Sequence, residues 1–334
     1  MKSCAYCNNI LGTEGHKKTD EHIIPSSLLK LYPDQDISIH YEQQYVDNRG
    51  MTISDVCSKC NNGVLSELDS YGKEIVEQYF YTPYKFNDYY TPFQIELEPN
   101  RYIRWLLKIV YNSIRCDKSS TQYIKECLPY ILGQSASFPC NISVLIGLHI
   151  NLNPVPEDFF AYTPLQICPS PKFFQNSYMR VKSGEPIKHF VIKGAGQTFS
   201  IRIANCIHYI IFWKPTVHYN IKNDLINTLQ EDFRFRLLST TENQYSVRCV
   251  SSPTNAMAAN YGHFYSETSV QETISMIKSS IQERDIQQAQ EEFCQHWTPE
   301  MSKNGRALVE ATMFPTNKKK QKVFDDIYNR NSPE

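Results

Sequence analysis

Two Cys-x-x-Cys pairs near the start of the chain constrain its fold more than any other feature. The first pair is Cys4 and Cys7, and the second is Cys57 and Cys60. Each pair places two thiolates on one tight turn of backbone, and two such knuckles supply the four soft ligands of a closed tetrahedral zinc site. Because four cysteines leave no open coordination position, we predict that this zinc is structural and holds neighbouring residues in place.

Composition favours a multidomain protein in a reducing compartment. The 334 residues can bury a sizeable core. Lys and Arg number 34 against 35 Asp and Glu, so any nucleic-acid contact must come from local patches. The cysteines outside the two pairs are scattered singly, which is typical of buried, reduced thiols. The N-terminus lacks the apolar core of a signal peptide and no apolar run approaches a membrane span, so we expect a cytoplasmic protein.

Local patterns predict a strand and a long helix in the first eighty residues. The strand ends at His22 and is stopped by Pro25, after which Ser26–Leu29 opens a short turn of helix. Apolar residues at helical spacing predict a helix from residue 61 to about residue 80, with Gly72 as its weak point.

A domain boundary is predicted after this helix, because residues 81–92 are rich in Tyr, Pro, Asn and Asp. The boundary divides the chain into residues 1–85 and 86–334. The second region contains a helix at 101–116, for which Asn100 is the expected N-cap. The whole chain is therefore predicted to be α+β, with a mixed α/β second region. Its further elements are strands at 93–97, 142–152, 188–193, 197–213 and 244–250, and helices at 269–294 and in the tail at 316–334.

The residues around the cysteine pairs form a recognisable order. Glu21-His22-Ile-Ile-Pro lies between the pairs, and Asn61-Asn62 follows Cys60 directly. This order resembles the HNH endonuclease family in its zinc-stapled treble-clef form, over roughly residues 1–80. The family fold is a ββα-metal unit, in which a two-stranded ribbon precedes a helix and one divalent cation lies between them. The resemblance therefore implies a nuclease domain at residues 1–85.

The resemblance also implies roles for individual residues. His22 matches the general base, since a neutral histidine can take a proton from water near pH 7. Glu21 and Asn61 match ligands of the catalytic cation, and their oxygens suit Mg²⁺ or Mn²⁺. Asn62 takes the place of Asn61 if the register shifts by one residue.

The middle position of the family motif departs from the pattern. Thr52 stands nine residues before Asn61, where the family usually has an asparagine. Its hydroxyl can support the loop that orients His22, and Asn48 is an alternative with a poorer spacing. Asp69, further along the helix, is an additional candidate for approaching the cation.

Phosphate contacts are expected outside the first domain. Residues 1–75 carry 7 Lys and Arg against 11 Asp and Glu, so this segment is poorly equipped to hold DNA alone. The helix at 101–116 carries a cationic stripe opposite its apolar face, which we interpret as a DNA contact or an ordinary solvated surface. Residues 172–202, basic and interleaved with aromatics, are the alternative. The stripe consists of Arg101, Arg104, Lys108 and Arg115.

We therefore predict a metal-dependent HNH endonuclease that hydrolyses DNA, with structural Zn²⁺ and catalytic Mg²⁺ or Mn²⁺. RNA stays open as a substrate, and an oligomer is compatible with the sequence. The resemblance further implies prokaryotic restriction or antiphage defence, with a partner ATPase or sensor protein. Two alternatives remain: a non-cleaving zinc-knuckle adaptor that binds nucleic acid or protein, and a nuclease gated by a ligand or partner through its C-terminal region.

Overall fold

Helices and strands are mixed along the chain, as the predicted α+β class requires. The structure is a computed structural model, and it describes the following residues: 2–32, 38–40, 43–45, 51–81, 91–148, 165–169, 173–175, 188–190, 194–231, 233–248 and 250.

A two-stranded antiparallel ribbon forms the N-terminal unit. Strand β1 (Lys18–His22) pairs with β4 (Thr52–Cys57). Between them lie the helical turn α1 (Ser26–Leu29) and a small hairpin of β2 (Ser38–His40) and β3 (Gln43–Tyr45). The predicted strand ending at His22 and the turn that follows it are both confirmed.

The helical stretch after β4 begins within the second cysteine pair. It comprises α2 (Ser58–Cys60), a wider turn at Asn61–Leu65, α3 (Ser66–Ile75) and a second wide turn at Val76–Phe80. The predicted helix at 61–80 is confirmed, although helical structure starts three residues earlier. Leu65, Leu68 and Ile75 are buried, as the apolar spacing requires.

Helix α4 (Pro99–Cys116) is enclosed by protein on almost all sides. Of its 18 residues, 13 are buried, including polar residues on the side opposite the apolar stripe. The predicted helix at 101–116 is confirmed, but the predicted N-cap is wrong. Glu98 precedes the helix, and Asn100 lies in its first turn, where its Oδ1 accepts a hydrogen bond from Tyr130 at 2.9 Å.

Helices α3 and α4 pack closely at a glycine. A Cβ atom on Gly72 would lie 2.1 Å from the indole ring of Trp105, whose side chain is fully buried. The glycine that weakens the helix by its propensity is therefore required by the contact between the two helices.

A five-stranded antiparallel sheet forms the second layer. Its strands lie in the order β12 (Arg236–Leu237), β6 (Ile142–Leu148), β11 (Cys206–Trp213), β10 (Ala195–Ile203) and β7 (Leu165–Pro169). Residues 197–213, predicted as one strand, form two, β10 and β11, joined by a turn at which Ala204 has a φ of 51°. The predicted strands at 142–152 and 244–250 are shorter within the described residues.

Smaller elements complete the described structure. Strand β5 (Phe93–Glu96) pairs with β13 (Gln244–Val247), and a separate hairpin lies within the basic region predicted at 172–202. That hairpin is formed by β8 (Phe173–Gln175) and β9 (Lys188–Phe190), and the remaining helices are α5 (Leu128–Ile131) and α6 (Tyr219–Glu231).

Strands β6 and β11 are buried along their whole length, so both faces of the sheet are covered by protein. The sheet therefore separates two apolar clusters. One face packs with α4 and the cysteine knuckles, and the other packs with α6. The first cluster is continuous from Cys4 through Trp105 to Ile210, so apolar packing crosses residue 85 without a break. The division into residues 1–85 and 86–334 stays a prediction.

Several sequence predictions lie outside the described residues, namely Asn48, the helices at 269–294 and 316–334, and about half of the basic stretch at 172–202. Among the cysteines that are described, none forms a disulfide. The expectation of burial holds for Cys127 and Cys206 but is wrong for Cys140, which is exposed. No helix within the described ranges is long and apolar enough to cross a bilayer.

Candidate metal centre and the buried network beside it

The four cysteines of the two knuckles converge on one point. The Sγ atoms of Cys4, Cys7, Cys57 and Cys60 all lie within 4.8 Å of one another. Those of Cys7 and Cys57 are 3.7 Å apart, and a tetrahedral zinc with Zn–S bonds of about 2.3 Å requires edges of about 3.8 Å. The donor type and the spacing both fit Zn²⁺, so these residues form a site that can bind zinc, as the sequence predicts.

The backbone of the first knuckle is folded around its sulfur atoms. The N–H of Asn8 donates to the carbonyl of Cys4 at 2.9 Å, and Asn8 adopts a φ of 61°, which asparagine tolerates better than most residues. The Nδ2 of Asn9 lies 3.4 Å from Cys7 Sγ, and the N–H of Cys57 lies 3.4 Å from Cys4 Sγ. These donors favour thiolates, which are the form that binds a metal.

The thiols differ in their tendency to ionise. Burial opposes ionisation of Cys7, but hydrogen bonds from Asn9 and from the other thiols outweigh it and lower its pKa to about 7. Burial raises the pKa of Cys57 and of Cys60, and the neighbouring thiolate charge of Cys4 raises that of Cys60 further. Four adjacent negative charges repel one another, and a divalent cation removes that repulsion.

A histidine that the sequence analysis did not single out lies next to this centre. The Nδ1 of His16 is 3.3 Å from Cys57 Sγ, at the end of a turn in which the backbone N–H of Gly12 donates to the His16 carbonyl. A ring N–H at this distance can stabilise a thiolate that binds metal. No sequence signal marks it, because its spacing to the cysteines matches no ligand pattern.

The ribbon brings the residues of the predicted catalytic site to one end. His22 lies directly opposite Thr52 in the β1–β4 register, and Glu21 lies opposite Ile53. The Nδ2 of Asn61 donates to the Oγ1 of Thr19 and to the carbonyl of Asp20, both at 3.0 Å. The helix start is therefore tied to the strand that carries Glu21 and His22, whereas Asn62 is exposed.

Glu21 and His22 differ in burial, as expected for neighbours on a strand. Glu21 has only 4% of its surface exposed, whereas His22 is half-buried. The Oε1 of Glu21 lies 2.5 Å from Lys108 Nζ and accepts a hydrogen bond from Asn112 Nδ2 at 3.2 Å. Both contacts fall on Oε1, and Oε2 has no partner among the described residues.

Lys108 is a buried ammonium held by two carboxylates. Its side chain has no exposed surface, and its Nζ lies 2.5 Å from Glu21 Oε1 and 2.5 Å from Asp69 Oδ2. The pKa of Asp69 is raised to about 6, chiefly by burial, with Lys108 opposing the rise. Asp69 and Glu21 thus share one lysine, and the role of Asp69 as a residue that approaches the cation stays a prediction.

Asn112 connects the first knuckle to the ribbon. It is fully buried, accepts hydrogen bonds at Oδ1 from the Tyr6 hydroxyl at 2.7 Å and from Arg115 at 2.6 Å, and donates to the His22 carbonyl at 2.9 Å. Its amide therefore positions the backbone at His22. The residue lies four positions after Lys108, and this helical spacing is the signal that could have placed it in the same stripe.

The prediction that the α4 stripe faces away from the protein core is wrong for Lys108, and the other members of the stripe also contact protein. Arg115 pairs with Asp55 and lies over the rings of Tyr6 and Tyr111. Arg101 pairs with Glu98 at 3.5 Å. Arg104 donates to the Ile131 carbonyl at 3.0 Å. Lys108 places the stripe beside Glu21, but much of the charge of the stripe is compensated within the fold.

Comparisons of the chain with family models, with curated proteins and with solved structures found no match.

Proposed function

We propose that this protein is a metal-dependent endonuclease of the HNH type that hydrolyses phosphodiester bonds in DNA. The carrying observation is the tie between the helix start and β1. Asn61, directly after the second cysteine pair, bonds to the strand that carries Glu21 and His22. This order of ribbon, cysteine pair and helix is the arrangement that the resemblance to HNH nucleases implies.

Two oxygen atoms support a catalytic cation at this end of the ribbon. The hydrogen bonds of the Asn61 side chain both use Nδ2, and the contacts of Glu21 both use Oε1. Asn61 Oδ1 and Glu21 Oε2 therefore have no partner among the described residues. Amide and carboxylate oxygens suit Mg²⁺ or Mn²⁺, so Glu21 and Asn61 would hold that ion.

Each protein residue has a separate part in the proposed reaction. When bound, the cation stabilises negative charge on the phosphate and on the leaving oxygen. His22 takes the proton from the attacking water. Asn112 holds the His22 carbonyl, and the pairing with Thr52 constrains the end of β1, so both act by positioning His22. The zinc-binding cysteines hold the ribbon against the helix.

A non-cleaving adaptor is the second candidate, and the contacts of Glu21 favour it. An ammonium already neutralises this carboxylate, and Glu21 is buried where its neighbour His22 is half-exposed. A zinc-stapled unit with this pairing can bind nucleic acid or protein without a catalytic cation. The two candidates differ in metal-dependent cleavage.

Nicking of supercoiled plasmid in Mg²⁺ or Mn²⁺ tests the proposal. We expect the wild-type protein to nick and His22→Ala to lose at least ~10²-fold in rate, with unchanged zinc content, because only general-base catalysis is removed. His218→Ala changes an exposed histidine outside the ribbon and serves as the matched control.

The same assay separates the two candidates. Thr52→Ala should reduce the rate less than His22→Ala does, because Thr52 supports the strand and takes no proton. Equal nicking by wild type and His22→Ala would place the base elsewhere. Zinc-loaded wild-type protein that binds DNA but never nicks it would favour the adaptor.

A further inference from the structure

We propose that a groove beside the cysteine knuckles binds the phosphodiester backbone of duplex DNA. The groove has a volume of about 650 Å³ and lies between residues of the two knuckles and the segment that contains α5. Small-molecule sites span about 300–1,000 Å³, so a groove of this size can receive part of the backbone of a duplex and not the whole duplex. The assignment rests on the proposed function only in taking DNA as the polymer.

The exposed charged side chains that line the groove are cationic, although the N-terminal unit is acidic overall. Lys59 from the second knuckle and Lys125 from the turn before α5 both line it, and His16 lies on the same wall as the knuckles. No carboxylate is among the described residues that line the groove. Two exposed cations close together on an otherwise acidic unit attract polyanions to one place.

The two lysines are available to a ligand, in contrast to the stripe of α4. Both are exposed, and neither lies within ion-pair distance of a carboxylate of the described chain. By comparison, Lys108 and Arg115 are each paired with carboxylates inside the fold. Releasing counterions from phosphates requires cations that are not already neutralised, so the groove meets this condition and the buried part of the stripe does not.

Polar side chains in the groove suit phosphate and sugar contacts better than base stacking. Asn8, Asn9 and Gln134 are exposed amides that line it and can donate to phosphate oxygens. The aromatic residue in the lining, Tyr6, has only 2% of its surface exposed and directs its hydroxyl to Asn112. Without an exposed ring, the groove offers no platform for unpaired bases, which favours a duplex held by its backbone.

The groove adjoins the proposed catalytic residues. Cys60 is part of its lining, and Asn61, the proposed cation ligand, is the next residue in the chain. A duplex backbone held by Lys59 would therefore pass close to the start of the helix that carries Asn61. The groove would supply the phosphate contacts that the acidic ribbon lacks.

Salt-dependent binding of a short labelled duplex tests this assignment. We would use the full zinc-loaded chain with His22→Ala, without added divalent cation, so that cleavage plays no part. Changing Lys59→Gln and Lys125→Gln together should weaken binding and lower the slope of log affinity against log salt by about 1.8, or about 0.9 for each phosphate that is no longer neutralised. The control double variant, Lys30→Gln with Lys214→Gln, changes two exposed lysines outside the groove and should leave the slope unchanged.

Two results would overturn the assignment of the groove as a site for duplex DNA. One is an unchanged salt slope in the Lys59 and Lys125 variant with its zinc content intact. The other is displacement of the duplex by adenosine monophosphate at equal phosphate concentration, which would make the groove a mononucleotide site. Neither result depends on nicking, so failure of the nuclease proposal and failure of the groove are separately visible.

Discussion

Lys108→Met is expected to destabilise the protein strongly, because it leaves two carboxylates facing each other without a cation. The lysine side chain has no exposed surface and contacts Glu21 and Asp69 at 2.5 Å each. Removing one partner from a buried ion pair costs about 3–5 kcal/mol, and methionine retains most of the apolar stem, so little of this cost comes from a cavity. We expect the free energy of unfolding to fall by about 3 kcal/mol near pH 7.5.

The destabilisation should depend on pH in a definite direction. The folded-state pKa of Asp69, about 6, already lies above its ordinary value of 3.8, and losing Lys108 removes the main influence that lowers it. The folded variant therefore binds a proton more tightly than the unfolded chain, and its stability falls as the pH rises. The difference in unfolding free energy between wild type and Lys108→Met should be smaller at about pH 5.5 than at about pH 8.

Urea unfolding followed by circular dichroism measures these differences. Lys73→Met is the matched control, since Lys73 pairs with Glu77 at 2.9 Å on the exposed surface of α3, and its loss should cost less than about 1 kcal/mol. Adding Glu21→Gln and Asp69→Asn to Lys108→Met should restore much of the stability, because no buried charge is left unpaired. A Lys108→Met variant as stable as the Lys73→Met control, or one whose deficit does not grow with pH, would refute the reasoning.

Three further predictions concern other parts of the fold. Cys57→Ser should abolish zinc binding in metal analysis, and retained zinc would contradict the assignment. It should also change the fluorescence of Trp105, because the energy of zinc binding is part of the folding energy and α4 packs against the knuckles. Gly72→Ala should lower the unfolding free energy by about 1–2 kcal/mol, because overpacking against Trp105 outweighs the gain in helix propensity. Ser70→Ala, at an exposed position of the same helix, should change the unfolding free energy little. Burial lowers the folded-state pKa of His208 from 6.5 to about 4, so the unfolded chain is protonated at a higher pH than the folded protein. About 3 kcal/mol of stability should therefore be lost as the pH falls from 6.5 to 4. A His208→Gln variant that loses the same stability over this pH range would show that another group titrates.

The local elements were largely predictable from the sequence. The cysteine cluster follows from the spacing of two Cys-x-x-Cys pairs, and helix α4 follows from its apolar periodicity. Pro25 marks the end of the first strand segment as expected. These signals lie within contiguous residues and depend on backbone geometry and ligand chemistry, so they do not require knowledge of distant partners.

Partners distant in sequence decided what the polar residues of α4 do. Lys108 meets Asp69 from 39 positions away, and Asn112 meets Glu21 from 91 positions away. Helical periodicity shows that these residues share a face, but it does not show whether water or another segment covers that face. Lys108 and Arg115 became charge-compensated contacts within the fold because the ribbon and α3 present carboxylates to them. For the same reason only the tertiary structure distinguished neutralised cations such as Lys108 from the exposed Lys59 and Lys125.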